Sequence, residues 1–517
     1  MNIRVNGTVV EIFAGARAAD VLRRARRLLD PAFRFVLALP LLIGLAACAS
    51  LPRVPSETRI VIFHLNDVHG KIDNFAKIAA IVAAERRTDA EVFLLSAGDN
   101  FTGNPIIDQY DPPGEPVLEL FNHLGLDLMC LGNHEFDPGL ANLDRFAARA
   151  RFPIVTANLQ PPAGTLSRLS PHAILRTRSG VKLAVFGLIQ IEPGNGLPST
   201  HPDRVRGLRF SEPLARALEL KNLRAEGQVF VGLTHLGYED DLRLAQQMPE
   251  LDVIVGGHSH TRVDPAETVN GVLVAQAGSD ARFLGRIELR VRRGRVVEKS
   301  GRLIDLTGTL AEDPEVKGMI ARFNQNPALA RVLVETPVEL EGKDALGSLM
   351  TDALRQAHGL DIAFQNDGGI RLPRLPRRIT LKDAYTLDPF GNQVVEMAMT
   401  AAEIRGLIHD SFRKGREIDL QVSGISYVVR TAGPDRQVTD ILLRDAGGQP
   451  LPEGKPFRVG VSSYIASAYD FPHADPGHAL GSTTVAALIQ FLEGKPDLSV
   501  YQGIRRAFQE PAGENTH

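Results

Sequence analysis

The stretch Val92-Phe93-Leu94-Leu95-Ser96-Ala97-Gly98-Asp99-Asn100 joins a short apolar run to a polar turn. An apolar run of this length, closed by Gly, Asp or Asn, is typical of a buried parallel strand. In open α/β sheets, the crevice that binds ligands lies just outside the carboxyl ends of the strands. The stretch therefore predicts an α/β fold in which Asp99 stands at the ligand-binding edge of a sheet.

The same pattern occurs four more times along the chain. Apolar runs at residues 59–65, 126–131, 229–233 and 253–255 each precede a motif rich in Asp, Asn or His. In chain order, these motifs are Asp67-Val68-His69, Gly132-Asn133-His134-Glu135, Thr234-His235-Leu236-Gly237 and Gly257-His258-Ser259-His260. Because the ligand crevice lies at the carboxyl ends of the strands, the five motifs predict one shared site.

The side chains of these motifs are of the types that bind divalent cations. Side chains two residues apart on an extended chain point the same way, which pairs the Asp and His of the first motif and the two His of the last. Asp99 is the natural carboxylate bridge between two ions. The candidate metal ligands are Asp67, His69, Asp99, Asn133, His235, His258 and His260.

Seven ligands are too many for one tetrahedral ion, but they suit two divalent ions with open positions for water and substrate. The set contains oxygen and nitrogen donors without a thiolate. It therefore favours Zn²⁺, Mn²⁺ or Co²⁺, permits Mg²⁺ or Fe, and is poor for Cu(I).

The composition is that of an ordinary globular protein of two or three domains, with 517 residues and 44% hydrophobic content. A net charge of −3 gives no reason to expect a nucleic-acid partner, and no protein partner is predicted. The two cysteines, Cys48 and Cys130, exclude a disulfide framework. Cys130 lies in an apolar run and is predicted to be a buried thiol.

The start of the chain has the pattern of a secretory signal. A flank rich in Arg precedes a short apolar core and small residues at 35–47. Leu45-Ala46-Ala47-Cys48 resembles the bacterial lipobox, which implies lipidation at Cys48 and a protein anchored in the cell envelope, with periplasmic exposure. Ala49, directly after the cysteine, favours sorting of such a lipoprotein to the outer membrane. The alternatives are an ordinary cleaved signal peptide and an uncleaved membrane anchor. The sequence does not determine the role of residues 1–33 or the true start of translation.

The rest of the chain divides into two parts. Residues 59–306 alternate apolar strand runs with helical patterns such as 75–86, 117–124 and 213–223, which is the α/β signature. Residues 311–323 are predicted to form a helix that bridges to a second part, which begins near residue 334.

Taken together, these motifs resemble the calcineurin-like metallophosphoesterases and, with the second part, the 5′-nucleotidase family, over about residues 59–504. The resemblance implies a four-layer α/β/β/α metallophosphoesterase domain at 57–310, a linker helix at 311–333 and a C-terminal α/β nucleotide-binding domain at 334–507, after a signal segment at 1–50. One ion would take Asp67, His69, Asp99 and His260, and the other Asp99, Asn133, His235 and His258.

The resemblance also implies a catalytic pair. His134 matches the family histidine that contacts the phosphoryl group in the transition state. Asp137, three residues on, would orient the imidazole and stabilise its charge. The alternative, in which His134 is itself a metal ligand, stays open.

The second part carries the expected substrate site. Asn366-Asp367-Gly368-Gly369-Ile370-Arg371 resembles the family turn Asn-Gly-Gly-Gly-Ile-Arg, in which glycines admit an anion and Arg371 grips phosphate oxygens. Asp367 replaces a glycine, and a carboxylate near the phosphate is unfavourable for a nucleotide substrate unless it faces away. Pro389-Phe390-Gly391-Asn392 matches the segment that supplies one ring of a base sandwich. Phe471 is the candidate for the second ring, with Tyr469 as the rival. The expected substrate-binding residues are Asn366, Gly368, Gly369, Arg371, Phe390, Asn392 and Phe471.

The leading hypothesis is an exported phosphohydrolase that releases phosphate from nucleoside 5′-monophosphates or related nucleotides. A UDP-sugar, a 2′,3′-cyclic nucleotide or a sulfur oxyanion is the alternative substrate. A different class of function, a surface-anchored nucleotide-binding module with an inactive site, is disfavoured because every expected ligand position is filled.

Overall fold

The computed structural model describes residues 2–5, 8–11, 57–192, 195–504 and 506–511. The chain divides into two compact units, Met1–Pro55 and Ser56–His517. In the first unit, the strands Asn2–Val5 and Thr8–Glu11 form an antiparallel pair. Cys48 and the apolar core of the predicted signal, residues 35–47, lie outside the described residues. In the described part of the chain, no helix combines the length and the apolar character that a membrane span requires.

The first domain of the larger unit contains a seven-stranded sheet. Its core is formed by the predicted parallel strands, and an antiparallel hairpin extends one edge. In spatial order the strands are Arg295–Asp305, Phe283–Arg292, Glu57–Leu65, Glu91–Ser96, Leu128–Cys130, Ile154–Val155 and Leu169–Ser170.

A second, six-stranded sheet packs against the first. Its central strands are parallel and both edge strands are antiparallel. In spatial order the strands are Glu267–Val269, Val272–Ala275, Val253–Val255, Val229–His235, Lys182–Ile189 and His172–Arg176. A small antiparallel pair, Leu159–Gln160 with Arg209–Phe210, lies beside the sheets.

Three apolar clusters show how the layers pack. One cluster joins the inner faces of both sheets, and it contains Ile62, Leu95, Val231 and the buried thiol of Cys130. The outer face of each sheet is covered by helices through a separate cluster. The predicted four-layer α/β/β/α arrangement is therefore confirmed. The helices of this domain are Phe75–Arg86, Pro105–Asp108, Glu115–Leu124, Leu140–Arg149, Pro213–Glu219, Tyr238–Gln247 and Pro314–Phe323.

A predicted strand and a predicted helix are shorter than expected. The strand predicted at 126–131 spans only Leu128–Cys130, because Gly125 ends the preceding helix in a left-handed conformation and the Leu126 N–H still bonds to the Phe121 carbonyl. The helix predicted at 213–223 ends at Glu219, and a 3₁₀ turn, Lys221–Glu226, continues the chain.

The predicted bridging helix packs on the first domain. It spans Pro314–Phe323, and Asp313 caps it by accepting the N–H groups of Glu315 and Val316 at 3.0 Å. Its apolar face joins the cluster that covers the outer face of the seven-stranded sheet. The helix is therefore part of the first core and not a free spacer.

The C-terminal domain has a five-stranded mixed sheet and a three-stranded sheet. The first, in spatial order, is Leu420–Ser423, Ile362–Asn366, Phe457–Ser462, Gln393–Met399 and His478–Thr483. The second is Gln437–Asp445, Ile425–Ala432 and Ala507–Pro511. Two short pairs join Val332–Glu335 to Arg378–Thr380 and Leu340–Glu341 to Arg374–Leu375. The helices are Lys343–His358, Leu381–Leu387, Ala401–Gly415, Ser463–Ala468 and Thr484–Glu493.

Candidate metal centre

Most of the predicted ligands have an unusual, left-handed backbone conformation. Five of them have positive φ: Asp67 (51°), His69 (49°), Asp99 (56°), His258 (79°) and His260 (55°). A left-handed conformation costs a non-glycine residue roughly 1–2 kcal/mol, and such strain persists only where the surrounding structure enforces it. Here it clusters at the carboxyl ends of the strands, as expected for a functional site.

Hydrogen bonds between two loops enforce this backbone. The Asp67 N–H donates to the Gly98 carbonyl and the His69 N–H to the Asp99 carbonyl, both at 3.0 Å. The third loop approaches so closely that a Cβ on Gly132 would lie 2.2 Å from Asp99 Oδ1. Glycine at position 132 is therefore required by the close approach of the loops.

Glu135 links the same loops through its side chain. Its buried carboxylate accepts the backbone N–H groups of Asp99 (2.9 Å), Asn100 (2.7 Å) and Gly132 (2.6 Å). Burial and the charge of Asp99 raise the pKa of Glu135. The sequence did not predict this role for Glu135, and only its position in the motif Gly132-Asn133-His134-Glu135 indicated that it lies close to the site.

The first group of ligand atoms comprises Asp67, His69 and His260. His69 Nδ1 donates to the Thr102 carbonyl at 3.0 Å, which leaves the lone pair on Nε2 free. That Nε2 lies 3.0 Å from His260 Nε2, and His260 Nε2 lies 3.6 Å from Asp67 Oδ1. Two imidazole nitrogens and a carboxylate oxygen therefore converge on one point.

The second group comprises Asp99, His235 and His258. His235 Nδ1 donates to the Ala97 carbonyl at 2.7 Å, so Nε2 is the ring nitrogen that a metal ion could take in exchange for a proton. This Nε2 is buried without a hydrogen-bond partner and lies 3.1 Å from Asp99 Oδ2. Asn133 completes the group, because its Oδ1 lies 3.1 Å from His258 Nδ1 while its Nδ2 donates to the Ser199 carbonyl.

The electrostatics of the centre favour cations. Burial lowers the pKa of His258 to about 3 and that of His69 well below its usual value, so both rings are neutral lone-pair donors. Burial also disfavours a charged His235, but Asp99 and Asp67 outweigh this and raise its pKa to about 10. The two carboxylates thus favour a positive charge at this position, which a metal ion can supply in place of the His235 proton. The orphaned nitrogen and the converging donors fit divalent metal ions.

His134 and Asp137 form a hydrogen-bonded pair beside this centre. His134 Nδ1 lies 2.6 Å from Asp137 Oδ2, and His134 Nε2 lies 3.9 Å from Asp99 Oδ2. Burial lowers the pKa of His134, but the charges of Asp99 and Asp137 outweigh it and raise the pKa overall. The ring is therefore suited to carry a proton towards the site.

A cavity of about 640 Å³ joins the centre to the C-terminal domain. Six of the seven expected substrate residues line it: Asn366, Gly368, Gly369, Arg371, Phe390 and Asn392. Arg371 Nη2 lies 3.4 Å from both ring nitrogens of His69, and the Phe390 ring stacks on His134 with centroids 5.8 Å apart. Residues 302 positions apart in sequence thus form one site.

The seventh expected residue, Phe471, is not in the cavity lining. Its side chain is 5% exposed and packs in the core of the C-terminal domain. The rival, Tyr469, is also buried there, and its hydroxyl donates to Asp419 at 2.6 Å. The aromatic residue that does line the cavity with Phe390 is Tyr464. The chain turns inward after the helix Ser463–Ala468, which buries Phe471 in the core, and its assignment to the base site stays a prediction.

The Asp367 side chain is not part of the cavity lining. Its Oδ1 accepts from Gln421 Nε2 at 3.0 Å, and Lys343 Nζ donates to its backbone carbonyl at 2.9 Å. A Cβ on the neighbouring Gly369 would lie 2.0 Å from Gln365 Nε2, so a larger residue there would have to displace the Gln365 side chain. The turn therefore presents glycines and Arg371 to the cavity, without a competing carboxylate.

Comparison with known proteins agrees with this geometry. Residues 60–262 match a family profile described as calcineurin-like phosphoesterase, and residues 325–473 match the 5′-nucleotidase C-terminal domain. A 5′-nucleotidase from Vibrio cholerae is 27% identical over 90% of this chain and 96% of its own length. The trifunctional nucleotide phosphoesterase YfkN of Bacillus subtilis is 28% identical over 82% of this chain, which spans only 33% of that longer protein.

Among solved structures, the 5′-nucleotidase precursor from Thermus thermophilus superposes with a TM-score of 0.75 at 24% identity, over 88% of this chain and all of its own. Fold and site together define a metal-dependent phosphoesterase. The chain belongs to the 5′-nucleotidase family, with a metallophosphoesterase domain followed by a 5′-nucleotidase C-terminal domain.

Proposed function

We propose that the protein is an exported phosphohydrolase that uses two divalent ions to release phosphate from nucleoside 5′-monophosphates or related nucleotides. The observation that carries the proposal is that both domains contribute walls to one cavity. One wall holds His134 and four of the candidate ligands, and the other holds Arg371 and Phe390. Its volume of about 640 Å³ lies within the range typical of small-molecule sites.

Seven residues would hold the ions: Asp67, His69, Asp99, Asn133, His235, His258 and His260. Bound there, divalent ions neutralise phosphoryl oxygens and lower the pKa of a water molecule. Arg371 adds a fork of N–H donors that suits the remaining phosphate oxygens. With His134 Nδ1 held by Asp137, the opposite ring nitrogen is free to donate a proton to a phosphoryl or leaving oxygen.

The test is a panel of phosphoesters assayed after chelation, with each metal restored separately. Phosphate release from AMP and UMP is expected to vanish on chelation and to return with Zn²⁺, Mn²⁺ or Co²⁺, because without cations the carboxylates of the ligand set repel the phosphate and nothing activates the attacking water. The rates with UDP-glucose, 2′,3′-cyclic AMP and bis(p-nitrophenyl) phosphate show whether the enzyme prefers a UDP-sugar or a phosphodiester to a nucleoside 5′-monophosphate. Failure of every ester with every metal would favour an inactive nucleotide-binding module.

Tyr464 is expected to form one face of the base site opposite Phe390. Base–aromatic stacking is worth about 1–3 kcal/mol, so Tyr464→Ala should raise the KM for AMP by roughly 5- to 150-fold. Tyr464→Phe keeps the ring and should change the KM little. Ribose 5-phosphate has no base, and its KM should be the same in all three proteins. An equal rise for ribose 5-phosphate would contradict the assignment.

The proposal of export rests on the sequence alone. The basic flank, the apolar core and Leu45-Ala46-Ala47-Cys48 support a lipid-anchored protein of the cell envelope, with Cys48 as the lipidated residue. Recovery of the protein in the envelope membrane fraction is expected, and recovery in the cytosol would overturn it.

A further inference from the structure

The carboxylate of Asp137 is held on both oxygens by threonine hydroxyls. Thr102 Oγ1 donates to Asp137 Oδ2 at 2.7 Å, the oxygen that also faces His134 Nδ1. Thr200 Oγ1 donates to Asp137 Oδ1 at 2.8 Å. Both threonines are buried. The orientation of the carboxylate is thus determined by two loops that lie far apart in sequence.

Each loop also holds a candidate metal ligand. The Thr102 carbonyl accepts from His69 Nδ1 at 3.0 Å, which fixes the tautomer that directs Nε2 to the centre. In the other loop, the Ser199 carbonyl accepts from Asn133 Nδ2 at 3.0 Å, which directs the amide oxygen towards His258. The same two short segments therefore orient ligands and the acid–base pair together.

The backbone at Thr102 is strained. Its φ is +58°, a conformation that a β-branched residue adopts only rarely and that glycine or asparagine adopts readily. Asp108 enforces it by accepting the N–H groups of Thr102 (3.0 Å), Gly103 (2.8 Å) and Asn104 (2.9 Å). A threonine at this position is explained by its hydroxyl, since the backbone geometry favours other residues.

We propose that Thr102 and Thr200 are positioning residues that clamp Asp137 and thereby aim the His134 ring at the reacting phosphoryl group. This inference rests on the proposed function, because it assigns the two hydroxyls a role in that reaction. Without the clamp, Asp137 can rotate and the His134 ring loses its fixed direction. The chemical step then slows, whereas substrate binding and metal content do not change.

Kinetics of single variants test the clamp. Thr102→Val removes the hydroxyl but keeps the branched shape, and its kcat is expected to fall about 10- to 100-fold with KM unchanged. Thr102→Ser restores the hydroxyl and should recover most of the rate. Thr200→Val should behave like Thr102→Val. The matched control is Thr439→Val, on an exposed strand of the C-terminal domain, which should leave kcat unchanged.

A double-mutant cycle identifies the target of the hydroxyls. If they act through Asp137, Thr102→Val in an Asp137→Asn background should lower kcat by less than about twofold further. An additive loss in the double variant would overturn the clamp. Metal content, measured by mass spectrometry, should stay at the wild-type level in every Thr variant, and a parallel loss of metal would also overturn it.

A readout independent of turnover separates this inference from the proposed function. In protein labelled with ¹⁵N-histidine, the strongly hydrogen-bonded Nδ1 proton of His134 should give a downfield resonance that His134→Asn removes. Thr102→Val combined with Thr200→Val should shift or broaden that resonance. An unchanged resonance with full kcat would reject the clamp alone. A wild-type protein that hydrolyses no phosphoester would reject the proposed function, and a shifted resonance would then still support the clamp as a structural device.

Discussion

Asp99→Asn is expected to abolish phosphate release and to lower the bound metal content. The Asp99 carboxylate lies 3.1 Å from His235 Nε2 and is also within reach of His69, so it would be the best placed to bridge two ions. The amide keeps the shape but removes the negative charge. Because metal ions contribute several kcal/mol of transition-state stabilisation, a loss of about 10³-fold or more in kcat is expected.

Two measurements check this expectation: kcat with AMP at saturating metal, and metal per chain by mass spectrometry after dialysis. Circular dichroism should show that the variant is folded. Asp89→Asn is a suitable control, because the Asp89 side chain is 93% exposed and its contact with Arg59 is weak. If Asp99→Asn retained both ions and the rate, Asp99 would not be the bridge.

His134→Asn is expected to lower kcat by about 10²–10⁴-fold, the usual contribution of a general acid or base. Metal content should not change, because the seven ligand positions do not include His134. The structure supports this separation: His134 Nδ1 is committed to Asp137 at 2.6 Å, and its Nε2 is 3.9 Å from the nearest carboxylate oxygen of Asp99.

The ratio of rate loss to metal loss decides between the two roles considered for His134. An inactive variant with full metal content supports the acid–base role. Loss of an ion in step with activity would make His134 a metal ligand, as the group of His69, Asp99 and His134 permits. His478→Asn, at an exposed position of the C-terminal domain, is the matched control and should change neither quantity.

Much of the site was predictable because its signal is local. An apolar run followed by a polar turn predicts a strand end from a few adjacent residues, and the structure brings all seven candidate ligands together at the sheet edges. Pairs such as Asp67 and His258, whose backbone N–H donates to Asp67 at 3.0 Å, are 191 residues apart. The shared topology of parallel strands, not sequence distance, made that proximity foreseeable.

The features of the site that the sequence did not reveal depend on contacts between distant segments. Phe471 and Tyr464 are both aromatic and close in sequence, and only the path of the chain after the helix Ser463–Ala468 decides which ring reaches the cavity. The roles of Glu135, Thr102 and Thr200 were missed for the same reason. Each acts through hydrogen bonds to residues of other loops, which no local pattern records.

By itself, the sequence determined the fold class, the ligand types and the edge at which they gather, because strand patterning and side-chain chemistry are properties of short segments. Only the tertiary structure decided the left-handed backbone at the ligands, the clamp on Asp137 and the aromatic lining of the cavity. Those features arise where loops of separate strands pack and bond to one another. Their energies exist only once the whole chain has folded.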